Sequence, residues 1–177
     1  DETLKGFMDA DPASYQRIVD NFAYWGGVDS RIHGKTINSQ GHGFCGMSRL
    51  KLLNTLHDRC EELGVSLRFN TDITDVAQLE TGQHDLVVAG DGITSMLRAA
   101  YKDEFHTTMD WRANKFCWLA TTKPLDDFTF IFTRNEHGWW WVHAYRYEEG
   151  MTTWIVETSA VTWASAGMEK ATEEETK

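Results

Sequence analysis

The stretch Asp85-Leu86-Val87-Val88-Ala89-Gly90-Asp91-Gly92, with Ser95 and Arg98 after it, runs from an apolar segment into a Gly-Asp-Gly turn and a helix start. Backbone N–H groups left free at such a start can hold an anion or a polarised oxygen. Asp91 can accept N–H groups there or a ligand hydroxyl, and Arg98 lies on the next helix within reach of the turn. An ordinary strand-to-helix turn with an Asp cap has the same pattern, and spacing alone leaves both readings open. Arg49 falls in the first turn of a strong helical pattern, where a cation opposes the helix dipole. It is a candidate to hold a phosphate, a carboxylate or an aromatic face, against the simpler reading of a solvated arginine.

Two further segments carry chemical residue types. Gly41-His42-Gly43-Phe44-Cys45-Gly46 fits G-x-G-x-x-G. A polar, Gly-broken segment precedes it, where a dinucleotide fold needs a buried apolar strand. It reads instead as a Gly-rich loop at a helix N-terminus, functional or structural. Trp139 to Tyr147 alternates, with Trp139, Trp141, His143, Tyr145 and Tyr147 on one face and Trp140, Val142, Ala144 and Arg146 on the other. An aromatic face with polar tips suits a planar aromatic ligand, although a core or an interface has the same look. His143 has acid/base capacity, and a structurally hydrogen-bonded histidine is the alternative. No nucleophile elbow, H-E-x-x-H or Walker A is present, and no catalytic side chain is assigned.

The elements that position these residues follow from periodicity. Asp11-Pro12 opens a helix through Tyr15, Ile18, Val19 and Phe22, ended by Gly26-Gly27. Val28 to His33 and Lys35 to Ser39, split by Gly34, predict a hairpin. Ser48 is expected to cap a helix to about Leu63 with Leu50, Leu53, Leu56, Cys60 and Leu63 as its apolar stripe, stopped by Gly64. Val65 to Phe69, Ile73 to Val76 and the buried-looking Asp85 to Ala89 predict strands, and Thr94 to Tyr101 a helix. The period then changes to two. Phe116 to Thr121, Phe128 to Thr133, Trp139 to Tyr147 and Thr152 to Glu157 predict an antiparallel meander, and Ser159 or Thr162 opens a last helix. The fold class is α/β (α+β): βα units first, an antiparallel sheet second.

The 177 residues suffice for one ordinary domain with a core. A net charge of −10 argues against a surface that tracks nucleic-acid phosphates. No apolar run approaches a membrane span. Three cysteines without a C-x-x-C pair and without zinc spacing imply free thiols, no metal site and a reducing, cytoplasmic compartment. The eight tryptophans point to aromatic-rich sheets or an aromatic-lined pocket. Trp139, Trp140, Trp141 and Trp154 fall on adjacent predicted strands, while the scattered Trp25, Trp111, Trp118 and Trp163 read as packing. The first residues, Asp1-Glu2-Thr3-Leu4, resemble neither a signal peptide nor a natural start.

Taken together, Arg49-(x2)-Leu52-(x3)-Leu56 with Gly64-Val65, and the Asp85 to Arg98 stretch with its Asp91-Gly92, resemble the FAD-dependent aromatic hydroxylases built like p-hydroxybenzoate hydroxylase. A narrower likeness, to the salicylyl-CoA 5-hydroxylase and 2-aminobenzoyl-CoA monooxygenase branch, rests on Gly41 to Arg49, Leu52-Leu53-Asn54, Arg59-Cys60-Glu61, Glu136 to Tyr145, Ile155-Val156-Glu157 and Trp163 to Gly167. The resemblance spans roughly Leu4 to Met168. It lacks the family's opening G-x-G-x-x-G and closing GD motif, so the chain is expected to be a middle segment. Residues 1–105 would be part of an FAD-binding domain and 106–177 the substrate-domain sheet with a terminal helix. The resemblance implies FAD near Arg49, Asp91 and Gly92, with Arg98 bracing the turn and NAD(P)H as reductant. It implies an aromatic substrate, an aromatic acyl-CoA among the candidates, on the face of Trp141, His143 and Tyr145. The isolated chain is expected neither to retain FAD tightly nor to turn over. A non-catalytic scaffold of the same fold and an indole or tryptophan hydroxylase are the alternatives.

Overall fold

The computed structural model describes residues 2–79 and 81–176. The period-two segments form strands β1 (Ala23–Ile32), β2 (Lys35–Gly46), β3 (Lys115–Thr121), β4 (Phe128–Asn135), β5 (Gly138–Glu148) and β6 (Met151–Thr158). The helices are α1 (Glu2–Ala10), α2 (Pro12–Val19), α3 (Arg49–Glu62), α4 (Met96–Ala100), α5 (Lys102–Phe105), α6 (Ala160–Ser165) and α7 (Glu173–Thr176). The chain divides into two compact units, residues 1–65 with 113–177, and residues 66–112. No helix among the described residues is long and apolar enough to cross a membrane.

The first unit is built on one six-stranded sheet of order β2-β1-β4-β5-β6-β3. All neighbours are antiparallel except β1 and β4, which run parallel from Val28↔Phe128 to Ile32↔Phe132. The expected meander holds for β4, β5 and β6. Strand β3 lies on the far edge, paired with β6 from Lys115↔Thr158 to Thr121↔Thr152. The connection from β3 to β4 is fastened at two points. Leu125 is buried against Val142 and Ala144, and Thr152 Oγ1 donates to the Lys123 carbonyl at 2.8 Å. Thr129 and Thr158 are also fully buried, and each hydroxyl finds a carbonyl, Asp127 at 3.1 Å and Trp139 at 2.6 Å. Buried hydroxyls without such partners would cost more than they contribute.

The parallel pair is tied by Asp127, just before β4. Its carboxylate accepts from Gly27 N at 2.9 Å and from Asn38 Nδ2 at 2.9 Å, linking β1 and β2 to the start of β4. A Cβ on residue 27 would overlap that carboxylate, which accounts for the glycine.

Several expectations are corrected. The helix expected from Asp11 ends at Val19, and Gly26-Gly27 lies inside β1. Gly41 to Gly46 is part of β2, not a loop at a helix N-terminus. Trp25↔Phe44 and Ala23↔Gly46 pair its backbone, and the ladder resumes at Gly27↔Gln40. Residues 41–43 bulge between those pairs, with Gly41 and Gly43 at φ +88° and +65°. The strands expected at Val65 to Phe69, Ile73 to Val76 and Asp85 to Ala89 do not form. A strand exists only where a neighbour supplies ladder partners, and residues 66–112 contain none among the described residues. Leu86 and Val88 are therefore about four-fifths exposed, not buried (79% and 80%).

Asp11 caps α2 through Ser14 N, as the Asp-Pro pair predicts. Both its oxygens also accept from Arg59 of α3, at 2.9 Å each, and Arg17 of α2 bonds Glu62 of α3 at 2.7 Å. Charged hydrogen bonds thus tie α2 to α3. The apolar stripe expected to anchor α3 is largely open, with Leu50, Leu53 and Leu63 exposed. Ser48 stands at the N-cap position without a side-chain cap bond, and Gly64, at φ +74°, stops the helix as expected.

Two predictions follow from this geometry. Gly138 turns β4 into β5 at φ +142°, and a Cβ there would strike the Thr162 side chain. Gly138→Ala should lower the thermal midpoint and cost about 1–3 kcal/mol. Gly150→Ala, at φ +71° with open space around it, should cost only about 1 kcal/mol. Second, the Arg59 guanidinium, helped by Ser14, holds the Asp11 carboxyl well below the usual carboxylate range. A lowered folded pKa stabilises above the unfolded value of about 4, and that contribution disappears as pH falls through the folded value. Denaturant titrations of wild type and Arg59→Met should therefore differ at neutral pH and converge on acidification below about pH 4.

Candidate functional site

Pleat parity assigns the site residues of the first unit. Val142 and Ala144 are buried in the core. The intervening Trp141, His143 and Tyr145 must then share the opposite face of β5, which stays half-open. Register extends that face across the sheet. Phe132 pairs with Trp141 and Phe130 with His143, while β6 brings Glu157 opposite Trp141 and Ile155 opposite His143. Strand β3 adds Phe116 and Trp118. The result is an aromatic floor. Phe128 stacks on Tyr145 at 5.1 Å and 16°, and Phe130 meets the His143 ring edge-on at 5.1 Å. Trp25 stacks on Tyr145 at 5.7 Å. Burial raises the Tyr145 phenol pKa above its ordinary value.

The polar groups on this floor are few. Trp141 Nε1 donates to Glu157 Oε2 at 2.7 Å, and His143 Nε2 lies 3.5 Å from the same oxygen. Glu157 is a residue that strand alternation did not single out. Its partner Trp141 is 16 positions away across a turn, and only register unites them. The Phe128-x-Phe130-x-Phe132 alternation was legible as a strand, but not as the neighbour of His143. Trp118, expected as packing, is 63% exposed and helps form the floor. Trp140 and Trp154 lie on the opposite, core-side face.

A cleft of about 360 Å³ opens at the Tyr145 end of the floor, lined by Arg49, Trp118, Tyr145, Tyr147 and Thr153 among others. That volume is in the range of small-molecule pockets. Arg49 is exposed there at the start of α3 and makes no hydrogen bond or ion pair with any described residue. A guanidinium over an aromatic-walled cleft suits a phosphate or another anionic, planar group.

The second unit carries Asp91, Gly92 and Arg98. Gly92 to Thr94 is a 3₁₀ turn with Gly92 at φ +77°. Asp91 Oδ2 accepts from Met96 N at 3.0 Å. Hydrogen bonding from the Ser95 side chain first, with backbone N–H groups assisting, holds the Asp91 carboxyl below its ordinary value. Arg98 donates to the carbonyls of Gly92, at 2.9 Å, and of Ile93. A hollow of about 520 Å³ lies beside the turn, bordered by Ala89, Gly90, Asp91, Gly92 and Arg98. Nothing lies within 4 Å of a Cβ built on Gly90 or Gly92, so a ligand can approach that backbone closely. Each surface, taken by itself, has chemistry that suits part of a nucleotide cofactor: an unpaired cation beside aromatic rings in the first unit, an approachable Gly-Asp-Gly backbone in the second. No group of three or more metal-ligating side chains exists among the described residues.

No protein-family profile matches the chain. It is 34% identical over 169 residues, 96% of its length, to a salicyloyl-CoA 5-hydroxylase of Streptomyces sp.. It is 30% identical over 139 residues to protodeoxyviolaceinate monooxygenase of Chromobacterium violaceum. It is 32% identical over 151 residues to a 3-hydroxy-4-methyl-anthranilyl-[aryl-carrier protein] 5-monooxygenase of Streptosporangium sibiricum. The matches cover 78% and 85% of this chain in the last two cases. The chain spans 32%, 37% and 42% of the length of these relatives.

If Arg98 braces the Asp91-Gly92 turn as the bonds indicate, Arg98→Ala should speed amide exchange roughly tenfold across residues 92–98. Exchange in the six-stranded sheet should not change. Hydrogen–deuterium exchange read by mass spectrometry resolves the two regions.

Proposed function

We propose that this chain, a homologue of the flavin-dependent aromatic hydroxylases, provides the substrate platform and part of the flavin-binding surface of a monooxygenase that hydroxylates an aromatic ring. The observation that carries the reading is the aromatic face of β5 with its few polar tips, beside a cleft with an uncommitted arginine. FAD is the flavin and NAD(P)H the reductant in this reading, and an aromatic acyl thioester the substrate class. The thioester part rests on two relatives whose names include a CoA or carrier-protein acyl group.

A bound flavin would supply the redox chemistry that places one oxygen atom of O₂ on the ring, the other leaving as water. The chain's own residues bind and orient. Trp141, His143 and Tyr145, with Phe128 and Phe130 beside them on β4, offer faces and edges against which a planar ring packs with water excluded. The Tyr145 hydroxyl, protonated at neutral pH as a phenol ordinarily is, is available to donate a hydrogen bond. Arg49 holds an anionic part of the cofactor by charge-assisted hydrogen bonds. In the other unit, Asp91 and Gly92 present the turn to the cofactor, and Arg98 keeps its carbonyls fixed. No side chain need act as a nucleophile. The three free thiols, Cys45, Cys60 and Cys117, are compatible with a reducing compartment such as the cytoplasm.

Arg49→Ala in the protein that carries this chain should weaken flavin affinity by about 10- to 100-fold, as expected for loss of a charged hydrogen bond. The flavin absorbance per polypeptide after purification reads this directly. Unchanged flavin content would return Arg49 to a solvated role. A protein that never acquires flavin would favour the non-catalytic scaffold.

A further inference from the structure

Ladder partners form rows across the aromatic face. One row is Phe116, Glu157, Trp141, Phe132 and Ile32, in the order β3-β6-β5-β4-β1. The next is Trp118, Ile155, His143, Phe130 and Ser30. Glu157 is the carboxylate in these two rows, with rings or aliphatic groups at most other positions. A charge in such surroundings loses hydration and must be compensated. Compensation is one-sided here. Oε2 takes the Trp141 indole N–H at 2.7 Å and has His143 Nε2 at 3.5 Å. Oε1 receives no hydrogen bond from any described residue, and the side chain is 27% exposed. A carboxylate accommodates about four donors, so Glu157 keeps acceptor capacity on a surface otherwise suited to rings.

We propose that Glu157 is a specificity-determining residue, whose carboxylate accepts a hydrogen bond from a hydroxyl or amino group on the aromatic ring that stacks on this face. Trp141, besides packing against the ring, holds the carboxylate for that contact through its indole N–H. The inference rests on the reading of the β5 face as the substrate platform and adds which rings it selects. A ring without the donor would leave Glu157 desolvated and underbonded, and that penalty discriminates more strongly than a missing methyl group does.

The test is ligand binding to the flavin-loaded protein, read by quenching of tryptophan fluorescence, with salicyloyl-CoA and benzoyl-CoA as probes. These differ only in the ring hydroxyl. Wild type should prefer salicyloyl-CoA. In Glu157→Gln the amide oxygen can still serve Trp141, but the other position becomes an N–H donor facing the ring's own donor. The salicyloyl-CoA Kd should rise by about 10- to 100-fold, and the benzoyl-CoA Kd should not change. Trp141→Phe, which keeps the carboxylate but removes the group that holds it, should weaken salicyloyl-CoA more than benzoyl-CoA. Equal losses for both probes in Glu157→Gln would make Glu157 merely structural and overturn the proposal. No change for either probe would also overturn it. If wild type binds both probes equally well, the role of Glu157 fails while the substrate platform stands. If wild type binds neither, both fail together.

Discussion

A strand has two faces, and a core can claim only one of them. In β5 the claim is made by Val142 and Ala144, packed with Leu125 under the connection from β3 to β4. Everything on the other face follows from that parity. Trp141, His143 and Tyr145 are turned away from the core together, and a register shift of one residue would bury all three and expose the two core residues. The register is fixed at the turn from β4. There Asn135 Oδ1 accepts from the backbone of His137 and Gly138 and from the Trp140 indole, at 3.0, 3.2 and 3.1 Å. The aromatic face is therefore as well defined as the core that opposes it, although it contributes little burial itself.

The same sheet sets the width of the aromatic floor. Two strands would present a narrow ribbon. The parallel docking of β1 beside β4, locked by the Asp127 carboxylate, and the outer pairing of β3 on β6 extend the face in both directions. Trp25 reaches in from β1 and Trp118 stands on β3. The close approach of Trp25 depends on Gly46, whose Cβ would come within 2.9 Å of the indole. The glycine that resembled part of a nucleotide loop thus has a packing duty in the sheet.

How far the sequence discloses this depends on whether the information is local. The strands from Phe116 to Glu157 were legible because alternation and turn residues are local signals. The cap at Asp11 was legible for the same reason, and Ser159 was one of two candidates, with Thr162, for the start of α6. The partner of β3 was not, because pairing between Leu119 and Trp154 is a contact across 35 positions with no local signature. The Gly41 to Gly46 stretch misled because a bulged strand and a Gly-rich loop share one composition. Asp85 to Ala89 misled for the opposite reason. Its apolar run states a preference for burial between neighbouring strands, and the unit that contains it offers none among the described residues. Within the site, the aromatic face of β5 could be read from one strand, whereas Glu157, quoted from the sequence only for a family likeness, joins that face once β6 is in register.

Glu157 also shows how a net charge of −10 relates to local chemistry. Overall acidity sets a long-range field that salt screens within about 10 Å, and it argues against a surface that tracks nucleic-acid phosphates. On the sheet the balance is decided over much shorter distances. A carboxylate among rings favours a neutral donor or a cation beside it, while the uncommitted guanidinium of Arg49 at the cleft favours an anion. The two charges lie toward different ends of one surface, with Tyr145 and its stacked rings at the cleft end. In the proposed reading, a planar ring with a hydrogen-bond donor suits the Glu157 end, and an anionic part of the cofactor suits the Arg49 end. A ligand of uniform charge would satisfy one and be repelled by the other. In that reading the two charges divide the surface between ligand parts of opposite demand, a division that neither charge would impose alone.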